Sequence, residues 1–452
     1  MAQEKKKYMP IWIWIIVWAF VIGTIFNFVW PFLSKDSSPA FYVKDNNLYV
    51  LPEGKETSFD IENVSLENVM EQTKNGSRIA FLDSNSNLYI REISASKENE
   101  KIDENVSSFS FYNNQSDVVY LKQGEMWLYS NKIYRQLDSS VSSFVISNDK
   151  KKIIYEKEGG SYYIIGFKNE DIPEQYTMAG DTDIISNPGE YKKFIYVQGG
   201  EIYEKDYGKD VVTAAESVDS AFMLGKTIYY FKDNNGVSNL YEVTKTGEQE
   251  ISNDIESTLT NPIGKTVLLQ SKVNDIYVLQ EGKTPFLAFN KDEATSPQLS
   301  SDGKNLYALT NAGDNYNLID KKIGNGKISS EKTILGNEEI YTYWLDNDKV
   351  FISTGTADQQ GLGVYGNSKY KQLTQSGYLL GNLKTGIYYI DETNLNKYYL
   401  GSTKKIDSQI NNYGFFGEDL LYTKDQTLYW LKNNKSVEID TGVTQFIFPT
   451  VF

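Results

Sequence analysis

From residue 40 onward the chain repeats one pattern of apolar and polar positions: an apolar run, a short polar turn, and a second apolar run that usually contains Leu-Tyr or Ile-Tyr. Clear copies are FYVKDNNLYVL from Phe41, IAFLDSNSNLYI from Ile79, VVYLKQGEMWLY from Val118, FIYVQGGEIYE from Phe194 and IYYFKDNNGVSNLYEV from Ile228. Further copies start at Val267, Leu306, Ile387 and Leu420, with weaker ones at Ile153 and Val350. Each reads as a β-hairpin, because Asp, Asn and Gly between two apolar runs supply turn chemistry. The equivalent residues Tyr42, Phe81, Tyr120, Tyr155, Tyr196, Tyr230, Leu269, Tyr307, Phe351, Tyr388 and Tyr422 follow one another at intervals of 34 to 44.

Two further strands fit between hairpins. One precedes the hairpin, as in VSSFSFY from Val106, VSSFVIS from Val141 and VDSAFML from Val218; the other follows it, as in YRQL from Tyr134 and YKQLT from Tyr370. Four strands in roughly 40 residues is the unit of a β-propeller blade. Runs such as FIYV, IYYF and VLLQ are more continuously apolar than a strand wetted on one face, as expected of blades covered on both sides. No stretch after residue 40 sustains a 3.6-residue apolar period, which argues against helical repeats.

The chain ends carry a separate signal. The first hairpin begins at Ala40 without a preceding strand, whereas VTQFIF from Val443 matches VSSFSF and VSSFVI and has no hairpin after it. The last strand is therefore predicted to complete the first blade and to remove two exposed sheet edges at once. The expected fold is all-β, a propeller of about eleven four-stranded blades. Eleven exceeds the usual four to eight blades of one ring. The count favours a first β-propeller over 40–225 and a second over 226–452, with one large ring as the alternative that explains end-to-end closure more simply.

Before the repeats, residues 11–33 read IWIWIIVWAFVIGTIFNFVWPFL, uncharged, with only Thr24 and Asn27 clearly polar. A helix of that length spans about 34 Å, enough for a hydrocarbon core of about 30 Å. Lys5, Lys6 and Lys7 precede it, so residues 1–10 are expected in the cytoplasm and everything after the 34–39 linker outside. The tryptophans at 12, 14, 18 and 30 lie toward the two interfaces. The stretch is longer than a signal-peptide core and lacks an A-x-A-like site, so it reads as an uncleaved single-pass anchor.

Composition narrows the chemistry. The chain has no His and no Cys. That excludes Ser-His-Asp and Cys-His catalysis, thiol nucleophiles, disulfides, and His- or Cys-ligated metal. A net charge of −15 argues against nucleic acid, whose phosphates call for clustered Lys and Arg.

Single repeats carry a resemblance. LSSDGKNLYAL, from Leu299 to Leu309, resembles the repeat of TolB-type propellers, with Ser301 in place of a proline, and YKQLT at Tyr370–Thr374 is similar to that repeat's closing strand. IYYID at Ile387–Asp391 also resembles the Tyr-Trp-Thr-Asp repeat of low-density-lipoprotein-receptor propellers, matching Tyr388 and Asp391. The resemblance implies a propeller over 40–452, binding or scaffolding more often than catalysis, and a bacterial source in line with the Lys-, Asn- and Ile-rich usage. It carries no functional residue across.

The best enzyme candidate for a His-free propeller is a glycoside hydrolase with two carboxylates. The predicted inner strands are poor in acids; Asp219, Glu338 and Glu339 are exceptions and read as solvated strand-end charges. Calcium is the one metal worth weighing, at Asp83-Ser-Asn85-Ser-Asn87 and Asp346-Asn-Asp348, but both lack the glycine and closing Glu of an EF-hand and are ordinary turn chemistry. Trp127, Trp344 and Trp430 lie in or beside strands, and most tyrosines are expected in packing. The sequence therefore names no catalytic, cofactor-binding or metal-ligating residue. The expected role is a non-enzymatic, membrane-anchored envelope protein that binds another protein; cell-wall glycan binding is the alternative and glycoside hydrolysis the third reading. Asn27 is a candidate for hydrogen bonding between membrane helices.

Overall fold

The computed structural model describes residues 39–452 except 53, 63, 67, 69, 74, 95, 113–116, 148–151, 167–172, 176–182, 185–192, 207–211, 234–237, 246, 348, 357–359, 433, 449 and 452. The apolar stretch 11–33 and its basic flank lie outside the described residues. Among the described residues there is no helix, and so none long and apolar enough to cross a membrane.

The described strands form eleven sheets, ten of four antiparallel strands and one of five strands. With blades numbered in chain order from the one that holds Ala40–Lys44, blade 3, residues 106–138, illustrates why the sequence folds this way. Its second strand, Asp117–Lys122, is buried on both faces because side chains alternate across a strand. Val118 and Tyr120 pack against blade 2, with Ala80, Leu88 and Ile102. Val119 and Leu121 pack against blade 4, with Val141, Ile153 and Tyr155. A continuous apolar run is what a sheet sandwiched between two others requires. The outer strand, Ile133–Asp138, is by contrast largely exposed and polar. Hairpin turns such as Asp45-Asn46 and Asp425-Gln426 hold two consecutive positive φ angles, which match the twist of the strands they join.

Each pair of consecutive blades shares an apolar cluster, from blades 1 and 2 through blades 10 and 11. The circuit closes between blades 11 and 1, where Leu421, Leu428 and Trp430 meet Ala40, Tyr42 and Leu51. The eleven blades are thus one ring, the alternative that sequence reading left in second place. A division near Gly225 would fall in the turn between Ser220–Leu224 and Thr227–Asp233, two paired strands of one sheet. Blade 6 also shares clusters with both of its neighbours.

Closure follows the expected strand. Val443–Ile447 pairs antiparallel with Ala40–Lys44, Tyr42 opposite Phe446, so the last strand becomes the inner strand of the first blade. A second closure was not anticipated: Thr450–Val451 pairs in parallel with Met70–Gln72 and adds a fifth strand to blade 2.

Candidate functional site

One polar device recurs where an outer strand ends and the next blade begins. In blades 3, 4, 11 and 1, the second strand carries Tyr-x-Lys: Tyr120 and Lys122, Tyr155 and Lys157, Tyr422 and Lys424, Tyr42 and Lys44. Both side chains bind an aspartate at the end of the preceding blade's outer strand. The Tyr120 hydroxyl donates to Asp103 at 2.9 Å and Lys122 at 2.6 Å. Tyr155 and Lys157 do the same to Asp138, and Tyr422 and Lys424 to Asp407. Across the chain ends, Tyr42 and Lys44 reach Asp440 at 2.8 and 2.6 Å.

Each aspartate also accepts the N–H of the residue that follows it, Glu104, Ser139, Ser408 or Thr441. Burial pushes these carboxyls up, but the hydrogen bonds from Lys, Tyr and backbone N–H outweigh it and hold all four below the ordinary carboxylate value. Burial, joined by the same aspartates, drives the Tyr120, Tyr155, Tyr422 and Tyr42 hydroxyls strongly up. Between blades 9 and 10 the roles exchange: Thr374 stands at the aspartate's place and donates to Asp391, which stands at the lysine's. These are structural clasps, and they engage acids and tyrosines that composition alone leaves as candidates for chemistry.

The acids singled out from sequence fall in two clefts on the face that carries these links. Glu338 and Glu339 line one of about 480 Å³ with Thr354, Gly361 and Gln372. Asp219 lines another of about 460 Å³ with Glu201, Glu216 and Asp233. The two clefts belong to different blade interfaces, 8 with 9 and 5 with 6, so the three acids do not converge. No group of three or more acids positioned for a metal occurs among the described residues. Asp83 is a turn residue: its oxygens accept the N–H groups of Asn85 and Asn87 and the Asn87 amide. Asn347 donates to Asp346 within its own turn. Trp430 is buried between blades 11 and 1, while Trp344 stacks on Phe351 at 5.7 Å, and Trp127 packs against the cluster of blades 2 and 3.

The inner strands border the central channel. With sheets packed roughly 10 Å apart, eleven blades make a circle on the order of 35 Å across at mid-blade and about 20 Å between opposite inner strands. Side chains therefore line this channel without filling it. Among inner-strand acids with described side chains, Glu71 is buried and accepts the Phe111 N–H at 2.7 Å, and Glu256 is exposed five blades away. Asp346 ends its strand.

Exposed aromatic rings concentrate in one sector instead. Tyr341, Tyr378, Tyr413 and Phe448, exposed at 54%, 57%, 37% and 61%, lie on or just after the inner strands of blades 9, 10, 11 and 1. Pairing with the second strands places them at successive depths: Tyr341 at a bulge, Tyr378 opposite Ile390, Tyr413 opposite Tyr422, and Phe448 beyond Ile447 opposite Phe41. Burial raises the Tyr413 hydroxyl, with the Tyr378 hydroxyl beside it adding to the effect.

Glycines make room for this layer. A Cβ at Gly381 would lie 2.5 Å from the Phe415 ring, and one at Gly414 would lie 2.9 Å from Phe416 and 3.0 Å from Phe448. Tyr413 meets Phe415 edge-on at 5.9 Å, and Phe448 stacks on Phe416 at 5.3 Å and 12°. The sequence shows the inner strands as poor in acids, but apolar spacing alone does not single out the tyrosines on them. The small-residue neighbours in GYLLG and NYGFF are the signal that could have found them.

The fold defines a β-propeller of eleven blades closed by its own C-terminal strands. No protein-family model and no curated protein sequence matches the chain. Among solved structures it is similar to that of a eukaryotic initiation factor, at 10% identity over 83% of this chain and 96% of that one, TM-score 0.43. It is also similar to the tricorn protease, at 11% identity over 91% of this chain and 53% of that one, TM-score 0.31. A third is the β-propeller domain of the Trilobed protease from Pyrococcus furiosus, described as having an open velcro topology, at 14% identity over 68% and 97%, TM-score 0.25. At these identities the likeness is one of fold alone.

Proposed function

We propose that this chain is a non-catalytic binding scaffold of the bacterial cell envelope, held by residues 11–33 at the outer face of the cytoplasmic membrane, where the ring engages another envelope protein. The carrying observation is the closed ring itself, whose polar links are spent on blade-to-blade clasps, leaving broad, rigid faces for a partner. The TolB-type resemblance of Leu299–Leu309 supports the envelope setting, and the uncharged 23-residue stretch behind three lysines supports the anchor. Hydrolysis within the central channel is disfavoured because two carboxylates must stand roughly 5–10 Å apart across the scissile bond. Glu71 and Glu256 lie nearly opposite one another in the ring. The test is crosslinking in the native membrane followed by mild-detergent purification of the full-length protein and mass spectrometry. One stoichiometric membrane partner is the expected result; recovery of the protein alone would retire the scaffold reading.

A further inference from the structure

We infer that the channel wall formed by Tyr341, Tyr378, Tyr413 and Phe448 is a binding site for an extended, uncharged glycan chain. Three observations converge. The rings occupy four consecutive blades at successive depths, so together they trace a slanting track along the wall. The track is built rather than incidental: Gly381 and Gly414 leave the space in which the next blade's rings seat, and Phe415 and Phe416 support Tyr413 and Phe448 from behind. The strands of the wall are also almost free of charge. The inner strands Ile340–Asp346, Gly377–Leu383, Asn412–Phe416 and Val443–Ile447 contain one charged residue, Asp346 at the end of its strand, in a chain of net charge −15.

Strands with so few charges select an uncharged occupant, and the neighbours of the rings select its chemistry. Exposed Thr342, Asn412, Thr444 and Gln445 place hydroxyl and amide groups beside the aromatic plates. A pyranose presents an apolar C–H face and a hydroxyl edge, which matches an aromatic plate bordered by such groups. A protein partner would anchor large side chains in desolvated pockets. Of the two described clefts, both polar, that of Glu338 and Glu339 adjoins the Tyr341 end of this wall at the start of blade 9's inner strand, and that of Asp219 lies between blades 5 and 6. The site requires the ring but neither the anchor nor a protein partner, so it can stand or fall separately from the scaffold reading.

The experiment is isothermal titration of the detergent-solubilised full-length protein with neutral hexasaccharides, the β-1,4-linked N-acetylglucosamine hexamer and maltohexaose, beside polygalacturonate and a proline-rich peptide. At least one neutral hexamer is expected to bind, and Tyr378→Ala and Tyr413→Ala should each weaken it about tenfold, the scale of a binding hot spot. Tyr399→Ala, an exposed tyrosine on the third strand of blade 10, should leave binding unchanged. Because all of these side chains are exposed, unchanged melting temperatures will separate lost contact from lost fold. Gly414→Ala should also weaken binding, by displacing Phe448. No binding of either neutral hexamer at millimolar concentration, equal binding by the Tyr378→Ala/Tyr413→Ala double variant, or binding of the peptide or polygalacturonate alone would each overturn the assignment.

Discussion

Asp138 shows how a single residue is made structural. Its carboxylate accepts from the Tyr155 hydroxyl, the Lys157 ammonium at 2.8 Å and the Ser139 N–H at 2.7 Å, joining blade 3 to blade 4. Its folded value lies below the usual range, whereas unfolding returns it to about 3.9. The carboxylate therefore contributes fully above about pH 4, and the contribution is lost as pH falls through the lower folded value. Asp138→Asn should cost roughly 1–2 kcal/mol at neutral pH, the scale of hydrogen bonds to a charged group. Chemical denaturation at pH 7 and at pH 3 checks this: the deficit against the native chain should shrink at the lower pH, and an equal deficit at both would remove the charge from the explanation. At residue scale the repeat was legible as apolar spacing, but the clasp was not. Asp138 and Tyr155 stand 17 residues apart, and only packing of one blade on the next brings them together.

At the scale of the element, the most consequential strand is Val443–Ile447. It completes blade 1 and brings Val443 into the cluster shared by blades 11 and 1. The clasp Tyr42–Lys44–Asp440 repeats at this seam the geometry found inside the chain, so the ends reconstitute one ordinary repeat. Ending the chain after Gly442 keeps that clasp but removes the inner strand of blade 1 together with the fifth strand of blade 2. The truncated ring should melt several degrees lower, and limited proteolysis should begin within 40–61, where the strands of blade 1 lose their inner neighbour. Unchanged melting and cleavage would mean that the seam is closed by the clasp alone. This strand was foreseeable because VTQFIF repeats the pattern of other inner strands. The parallel strand Thr450–Val451 was not, since two residues hold no period.

The whole molecule is a ring in which every blade is covered by two others, and Gly225 marks no boundary. Such a ring should unfold in one calorimetric transition, since exposing any one interface leaves two apolar sheet faces in water. Two well-separated transitions, assignable by proteolysis to 40–225 and 226–452, would restore a two-propeller molecule. The sequence favoured that division because eleven blades are many for one ring, and nothing local in the chain states how blades are apportioned. The number in a ring depends on the wedge angle between neighbouring sheets, which is a sum over side-chain volumes at every interface.

By itself the sequence determined the strand-turn-strand unit, its recurrence, the incomplete first blade and the orphan strand that completes it. These follow from alternation, turn residues and exposed edges, all readable within a few dozen positions. Only the tertiary structure decided that the ring is single, that aspartates, tyrosines and lysines from successive blades clasp one another, and that Tyr341, Tyr378, Tyr413 and Phe448 share one wall. Those are relations between residues far apart in the chain, and burial makes a tyrosine such as Tyr422 core while its partner on the neighbouring inner strand, Tyr413, opens onto the channel.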